Sequence, residues 1–396
     1  MSGSPDAKGA KGKRNAGGKR SVGGKRSARG EGSAGGERSA SGEGSAGGER
    51  STEGGRGAGG KRSDEVKRSS MNDDGTSSKG GSGGRGGSVS DGGGLAAYWE
   101  LLRPPLAPMD IALPGATALL AAYATTGGLP PAFPFAIATL GAYFAITSSY
   151  VYNDCCDLDV DAVGMPNRPL PSSQVTRSSA LAYSALLFGI AAAVALYLNP
   201  ESLVALIAAT LLMAVYSKVA KRMTPFSWIF VGLAYGIVPV GVWLAMAPAG
   251  LLKAGPGLHP GALVLGAMIC ITDWGFTNCD ASRDLEGDRR EGIPTFPVTF
   301  GIPRTAKLVA AAWILGVALS LALGLVTGLG PIYFAAALAA GAWMIIKTVD
   351  FIKNPTAERG EGIFYQGANY RAVLFAALII DVLLRATAEG YPGVVG

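Results

Sequence analysis

Residues 134–161, PFAIATLGAYFAITSSYVYNDCCDLDVD, decide the fold, because an apolar run as long as a membrane span leads directly into a cluster of acids. The apolar part can cross the roughly 30 Å hydrocarbon core of a bilayer as a helix. The acids then fall where that helix leaves the membrane.

A second stretch repeats this arrangement at residues 260–288, PGALVLGAMICITDWGFTNCDASRDLEGD. The two acid-rich segments, 153–161 and 280–288, lie far apart in the chain. If the fold brings them together, their carboxylates repel one another unless cations bridge them. Carboxylates that share partly hydrated cations with phosphate groups indicate Mg²⁺.

Similar apolar runs recur from residue 95 onward, which predicts an all-α, multi-pass membrane protein. An interfacial helix is predicted at about 95–103. The nine predicted spans lie near residues 108–127, 134–153, 177–198, 201–217, 225–248, 260–279, 304–328, 331–347 and 368–386.

Charged residues between the spans predict the orientation. Basic residues are concentrated in alternate connections, whereas the opposite connections hold only Lys253. By the positive-inside rule, the N-terminus and both acidic segments are predicted to be cytoplasmic. The basic connections hold Arg168, Arg177, Lys218, Lys221, Arg222, Arg283, Arg289, Arg290, Lys353, Arg359 and Arg371.

Residues 1–93 differ from the rest of the chain, since they are mostly Gly, Ser, Lys, Arg and Glu in a loose six-residue repeat. Such a segment buries too little apolar surface to offset its ordering entropy, so we predict a disordered tail before a membrane domain at 94–390. The tail holds 18 of the 35 Lys and Arg residues, but interspersed Glu weakens its basic field. No nucleic-acid partner is predicted, and the expected surroundings are membrane lipids.

The small number of histidines and the irregular spacing of the cysteines exclude several kinds of catalytic and metal site. The chain has one histidine, His259, and four cysteines, of which Cys155 and Cys156 are adjacent. A Ser-His-Asp triad, a Cys-His pair or a multi-histidine zinc site near the acids is therefore excluded. His259 is interpreted as a loop residue beside Pro260.

Regular spacing of the acids indicates how cations could bind. Asn153, Asp157 and Asp161 are spaced i, i+4 and i+8, so on a helix they share one face over about 12 Å. One ion cannot reach all three, but each neighbouring pair can bind one. The second segment repeats this spacing with Asp280, Asp284 and Asp288.

Basic residues beside the acids suit an anionic ligand. Arg168 follows the first segment, and Lys221 and Arg222 end the fourth span. Guanidinium and ammonium groups can hold a diphosphate where metal ions leave negative charge uncompensated. Arg359 and Arg371, by contrast, are interpreted as ordinary positive-inside charges.

These motifs resemble those of the UbiA-type intramembrane prenyltransferases. The first resemblance is Asn-Asp-x-x-Asp-x-x-x-Asp at 153–161 with Arg-Pro-Leu-Pro-Ser at 168–172. The second is Asp-Leu-Glu-Gly-Asp at 284–288, continuing to Gly301. Tyr216 with Lys221-Arg222, and Leu-Arg-Pro at 102–104, resemble further family motifs. The chain departs from the family's pattern at Cys155-Cys156 and at residues 106–110.

The resemblance implies nine helices around a central cavity and Mg²⁺-dependent transfer of an isoprenoid chain from a polyprenyl diphosphate to a lipophilic acceptor. It implies that the metal ligands are Asn153, Asp157, Asp161, Asp284 and Asp288, and that the four aspartates are the catalytic acids. Diphosphate would bind Arg168, Lys221 and Arg222, with Tyr216 beside them. Asp154, Asp159 and Asp280 would be supporting acids.

Two further inferences concern buried acids. Asp273, in the sixth span, is a candidate to orient an acceptor hydroxyl or take its proton. Asp110 and Asp273 also fit an alternative function, a cation transporter, provided that neither has a base nearby. The acceptor stays open between an ether-lipid precursor, such as geranylgeranylglyceryl phosphate, and a quinone or other aromatic precursor.

Overall fold

The computed structural model describes residues 94–252 and 254–388, and within these ranges the chain is helical and has no strand. The predicted disordered tail and Lys253 lie outside the described residues. A π-helical turn, Tyr216–Ala220, joins α6 to α7. The helices are α1 (Leu95–Leu101), α2 (Ala107–Thr126), α3 (Ala132–Cys156), α4 (Leu158–Gly164), α5 (Arg177–Leu198), α6 (Pro200–Val215), α7 (Lys221–Met223), α8 (Trp228–Met246), α9 (Pro260–Arg283), α10 (Leu285–Arg290), α11 (Phe296–Phe300), α12 (Ile302–Thr327), α13 (Pro331–Lys353) and α14 (Ala357–Ala388).

The all-helical, multi-pass prediction is confirmed. Eight helical segments of the described chain are long and apolar enough to cross a membrane, and they coincide with the first eight predicted spans. The ninth predicted span, 368–386, lies within the 32-residue helix α14, which is not one of the eight. This helix carries Arg371, Asp381 and Arg385, so the count of nine spans is approximate.

Helix α9 is central, because it packs against α2, α8, α12 and α14. Of its most apolar stretch, 61% is buried inside the protein, against 17% for the α5 and α6 spans. Two large, fully buried side chains pack against its glycines, Trp243 at Gly261 and Trp313 at Gly275. The helix that leads into the second acidic segment is therefore fixed by neighbours on several sides.

Glycines allow α8 and α9 to approach closely. A Cβ atom on Gly236 would lie 2.7 Å from the carbonyl oxygen of Gly266 and 2.7 Å from Cβ of Cys270. Gly232 and Gly236 have the four-residue spacing of small residues at close helix contacts in membranes. This contact sets the distance between the second acidic segment's helix and the helix that carries Tyr235.

His259 has a structural role at the start of α9. Its Nδ1 accepts a hydrogen bond of 3.0 Å from the backbone N–H of Gly261, and its ring stacks on Trp243 with centroids 5.2 Å apart. This satisfies one of the backbone donors left free at a helix N-terminus. The sole histidine of the chain is thus a helix cap, at the opposite end of α9 from the second acidic segment.

Replacing Gly236 with Ala tests the α8–α9 contact. We expect a loss of about 1–3 kcal/mol, because the new methyl group meets backbone that cannot move aside. Thermal unfolding in detergent measures the change. Gly189→Ala is the matched control, since a Cβ there meets nothing within 4 Å. Equal stability of the two variants would contradict the close contact.

Candidate active site

The first acidic segment is a helix, a break and a short helix rather than one continuous helix. Helix α3 ends at Cys156, and Asp157 adopts φ −100° and ψ 14° before α4 begins. Helical hydrogen bonds still connect the acids: Asp157 N–H donates to Asn153 at 2.9 Å, and Asp161 N–H donates to Asp157 at 2.8 Å. The expectation of a shared face therefore holds locally, but the direction of the helix changes at the middle acid.

The second acidic segment has the same construction. Helix α9 ends at Arg283, and Asp284 adopts φ −87° and ψ 9° before α10 begins. Asp284 N–H donates to Asp280 at 3.1 Å, and Asp288 N–H donates to Asp284 at 2.9 Å. Both segments thus place the middle acid in the sparsely populated bridge region of the backbone map.

Lys221 lies between the two segments. Its Nζ is 2.7 Å from Oδ2 of Asp157, a carboxylate that is 3% exposed. It also interacts electrostatically with Asp288 of the second segment. Glu291, just after α10, lies within electrostatic range of Lys221 and of Asp161 of the first segment. The two acidic segments therefore meet at the same end of the helix bundle.

Arg168 and Arg103 hold the other buried acids of the first segment. Arg168 Nη1 lies 2.9 Å from Asp161 and 3.5 Å from Asp154. Arg103 Nη2 lies 2.7 Å from Asp154. Asp154 and Asp161 are 6% and 7% exposed, so these guanidinium groups offset much of the cost of burying the charges.

Arg222 forms an ion pair at the protein surface. Its guanidinium donates two hydrogen bonds, of 2.8 and 2.7 Å, to the carboxylate of Asp159. The hydrogen bonds from Arg222 lower the pKa of Asp159 to about 2. Asp159 therefore stays ionised and holds Arg222 close to the first acidic segment.

The π-helical turn shapes the region between Asn153 and Lys221. Its first residue is Tyr216, and its second, Ser217, is buried and accepts a 3.0 Å hydrogen bond from Nδ2 of Asn153. Such a turn inserts an extra residue into the helical repeat and is frequent at functional sites. It brings Asn153, Tyr216 and Lys221 into one neighbourhood.

The acids of the second segment are less enclosed. Arg283 lies 2.6 Å from Asp280 and 3.0 Å from Asp284. Asp288 accepts a 2.9 Å hydrogen bond from the hydroxyl of Thr295. Burial raises the pKa of Asp288 to about 6, although the Thr295 hydrogen bond acts in the opposite direction.

A cation would have to be shared between pairs of acids. In residues 94–252 and 254–388, no group of three His, Cys, Asp or Glu side chains converges on one point. Oδ1 of Asp157 is buried and has no hydrogen-bond partner. An unpaired buried carboxylate oxygen is the kind of ligand that Mg²⁺ prefers, so the residues present fit a metal held pairwise with phosphate oxygens.

Arg371 is not the ordinary positive-inside charge that the sequence predicted, because it is buried and forms an ion pair. It is 3% exposed, and its Nη2 lies 2.7 Å from Oδ2 of Asp273 and 2.6 Å from the Thr272 hydroxyl. An arginine inside an apolar span is costly unless it is paired, and this is the signal that could have revealed the contact.

Asp110, Tyr150 and Tyr235 form a second buried polar group that the sequence did not connect. The Tyr150 hydroxyl donates to both oxygens of Asp110, at 3.1 and 3.0 Å, and lies 2.7 Å from the Tyr235 hydroxyl. Arg103 lies over the Tyr150 ring, 4.9 Å from its centroid. Neither this acid nor Asp273 is an isolated carboxylate, so the condition stated for a cation transporter is not met.

An apolar cavity lies next to this polar group. It is partly open and is bounded by α3, α5, α6 and α8. Tyr235 and Ser149 supply polar atoms to a lining made almost entirely of small and aliphatic side chains. Ser149 lies one helical turn before Asn153, so the cavity extends to the level of the first acidic segment.

Arg371→Met tests the buried pair. We expect a loss of about 3–5 kcal/mol of stability, because Asp273 is left as an uncompensated buried charge. Arg359→Met is the control, since Arg359 is exposed and pairs with the exposed Asp350. Thermal unfolding in detergent should separate the two variants, and equal stabilities would contradict the pairing.

Comparison with known proteins gives two groups of relatives. The chain is 27% identical to digeranylgeranylglyceryl phosphate synthase of Thermococcus sibiricus, over 66% of this chain and 88% of that protein. It is 29% identical to protoheme IX farnesyltransferase of Korarchaeum cryptofilum, over 62% of this chain and 82% of that protein.

Solved structures share the fold. A UbiA homologue from Aeropyrum pernix K1, solved in its apo form, superposes with a TM-score of 0.56 at 22% identity, covering 68% of this chain and 96% of that chain. A second solved structure, whose description names digeranylgeranylglyceryl phosphate synthase, superposes with a TM-score of 0.59 at 20% identity. The match covers 73% of this chain and 99% of that chain. The UbiA prenyltransferase family model matches residues 115–375. The chain therefore belongs to the UbiA prenyltransferase family and is a prenyltransferase.

Proposed function

We propose that this prenyltransferase moves a polyprenyl group, of geranylgeranyl type, from its diphosphate to a lipophilic acceptor and releases diphosphate. The observation that carries the proposal is the position of Lys221, which contacts Asp157 directly and interacts with Asp288. A cation placed between two facing acidic segments suits a ligand with several negative charges. The apolar cavity beside them suits an isoprenoid chain.

Metal ligands are proposed at five positions: Asn153, Asp157, Asp161, Asp284 and Asp288. Bound Mg²⁺ would neutralise charge that develops on the departing diphosphate. The unpaired Oδ1 of Asp157 and the accessible carboxylate of Asp284 support this assignment. Because neighbouring acids of each segment form pairs, we propose that the ligand set is divided between two ions.

The bases then act on the diphosphate itself. Lys221 and Arg168 are proposed to contact its oxygens, since each lies at the edge of the first segment with about a fifth to a third of its side chain exposed. Arg222 and Tyr216 are proposed to flank them. Such preorganised donors stabilise a leaving group without reorganising as its charge grows.

The cavity provides the reaction with a water-poor surrounding. Its lining has few polar atoms that could hold water near an allylic cation. The acceptor, rather than water, is therefore the nucleophile closest to the cation. Asp273, held by Arg371, is proposed to contribute to acceptor binding. The relatives' names support either a glycerol-phosphate or a porphyrin acceptor, and the former corresponds to the ether-lipid precursor, one of the two acceptor classes that the sequence left open.

The site is proposed to open to the cytoplasm. Lys221 and Arg168 belong to the connections between spans that are rich in basic residues. The positive-inside rule places these connections on the cytoplasmic side. The N-terminus would then be cytoplasmic as well.

An activity measurement tests the proposal. Purified full-length chain is incubated with geranylgeranyl diphosphate, Mg²⁺ and a panel of acceptors: geranylgeranylglyceryl phosphate, protoheme IX and an aromatic quinone precursor. We expect product and stoichiometric diphosphate with at least one acceptor. Asp157→Ala and Asp284→Ala should each reduce the rate by at least about 100-fold, because each loses charge stabilisation of the leaving group.

Asp350→Asn is the matched control, since Asp350 is an exposed acid on α13 that lies outside the site. It should keep the wild-type rate. Absence of diphosphate release with every acceptor would refute the proposal, as would full activity of both aspartate variants.

Metal affinity should depend on pH through Asp288. Since the pKa of Asp288 is raised to about 6, its carboxylate is ionised above that pH and protonated below it. Mn²⁺ affinity, measured by calorimetry as a probe of the metal site, should therefore fall as the pH drops through about 6.

Thr295→Val should move this midpoint upward by roughly one pH unit, because the lost hydrogen bond stabilises the ionised form of Asp288. Thr299→Val is the control, as its hydroxyl contacts the Pro294 carbonyl instead. An unchanged midpoint in Thr295→Val would exclude Asp288 as the titrating ligand.

A further inference from the structure

Three side chains from three helices form a hydrogen-bonded chain inside the bundle, and their solvent exposure increases along it. Asp110 of α2 is 2% exposed, Tyr150 of α3 is 7% exposed, and Tyr235 of α8 is half-buried. The Tyr150 hydroxyl lies 3.1 and 3.0 Å from the Asp110 oxygens and 2.7 Å from the Tyr235 hydroxyl. The chain therefore runs from a sealed carboxylate to an accessible phenol.

The hydrogen bonds in this chain have a direction. An ionised Asp110 only accepts, and Tyr150 has one proton, which it donates to Asp110. The bond between the two phenols must then be donated by Tyr235. Tyr235 thus donates its only hydroxyl proton to Tyr150. The lone pairs of its oxygen can then accept a hydrogen bond from another hydroxyl group.

The accessible end of the chain faces the place where the reaction is proposed to occur. Tyr235 lines the apolar cavity bounded by α3, α5, α6 and α8. Tyr150 precedes Asn153 by three residues in α3, a rise of about 4.5 Å along the helix. The phenols therefore lie roughly one turn below the acidic segment that is proposed to hold the diphosphate.

Asp110 is a better proton acceptor than Asp273. Asp273 is bound by the guanidinium of Arg371 at 2.7 Å, and a permanently charged partner favours its ionised form. Asp110 is bound by a phenol instead. The charged groups that face it from the surrounding elements are Arg103, Asp273 of α9 and Arg371 of α14.

We propose that Tyr235 binds the hydroxyl group of the acceptor and that this hydroxyl's proton is relayed through Tyr150 to Asp110. The acceptor oxygen forms a bond to C1 of the prenyl chain, and the bond from C1 to the diphosphate oxygen breaks, with its electron pair leaving on diphosphate. The acceptor's proton moves to Tyr235, that of Tyr235 to Tyr150, and that of Tyr150 to Asp110. No redox partner is needed.

This inference rests on the proposed prenyl transfer and narrows the acceptor to a hydroxyl-bearing molecule. A carbon nucleophile has no hydroxyl to donate to the phenol, and its proton is lost only after the bond to carbon has formed. Tyr235 is then a catalytic residue, whereas Tyr150 and Asp110 act through it.

The test uses full-length chain with Tyr235→Phe, Tyr150→Phe or Asp110→Asn, geranylgeranyl diphosphate, and geranylgeranylglyceryl phosphate as the hydroxyl acceptor. We expect kcat to fall about 10²–10⁴-fold in each variant, as for the loss of a general base. The KM for geranylgeranyl diphosphate should stay within about twofold, because the metal and diphosphate contacts are intact. Tyr123→Phe, a buried tyrosine near the other end of α2 from Asp110, is the control and should match wild type.

A pH profile distinguishes a proton relay from a merely structural role. At saturating Mg²⁺ and substrates, where the effect of pH on metal affinity is removed, wild type should lose kcat on the acid side as Asp110 becomes protonated. Asp110→Asn should have a low kcat that does not change over this pH range. The two phenylalanine variants keep the aromatic packing, so the test does not depend on the folding of Asp110→Asn.

The outcomes separate the two proposals. Wild-type kcat and pH dependence in both phenylalanine variants would overturn the relay. Transfer only to a carbon acceptor, with none to any hydroxyl acceptor, would overturn the relay and leave prenyl transfer standing. Transfer to no acceptor at all would refute the proposed function, and the relay with it.

Discussion

Repulsion between two acid-rich segments is the constraint on which the rest of this structure depends. Both segments end long membrane helices, and the fold brings them to the same end of the bundle, where Lys221 interacts with Asp157 and Asp288. Carboxylates this close cannot all remain charged without nearby cations. The surrounding helices supply them: Arg103 and Arg168 hold the buried acids of the first segment. The same requirement for positive charge explains why a metal–diphosphate ligand suits the site.

The centre of the bundle maintains this arrangement. Helix α9 is enclosed by four neighbours and approaches α8 through glycine contacts, so its acidic end has little freedom to move away. Beneath the acids, the polar interior is divided into two separate groups. One is the Asp273–Arg371 pair, and the other is the Asp110–Tyr150–Tyr235 chain. Charge is thus neutralised by an arginine in the first group, whereas the second group lies next to an apolar cavity and is the proposed route for a proton.

The sequence predicted much of the fold, because spans of a membrane protein are local and their apolar runs are long. The acidic segments and the bases near them were also predictable from spacing and position. Arg371 was misjudged because its partner lies 98 residues away, and only packing brings the two together. The break in the helix at Asp157 and the hydrogen-bonded chain from Asp110 to Tyr235 likewise depend on contacts between helices, which hydropathy and periodicity do not describe.

The proposed function requires that the two acidic segments together hold divalent ions around a diphosphate. The most direct measurement is an electron paramagnetic resonance titration of Mn²⁺ in the presence of a non-hydrolysable geranylgeranyl diphosphate analogue. We expect two bound ions per chain, with diphosphate-dependent binding reduced by Asp157→Asn in one segment and by Asp288→Asn in the other. Undiminished binding in either variant, or binding that does not depend on the analogue, would contradict it.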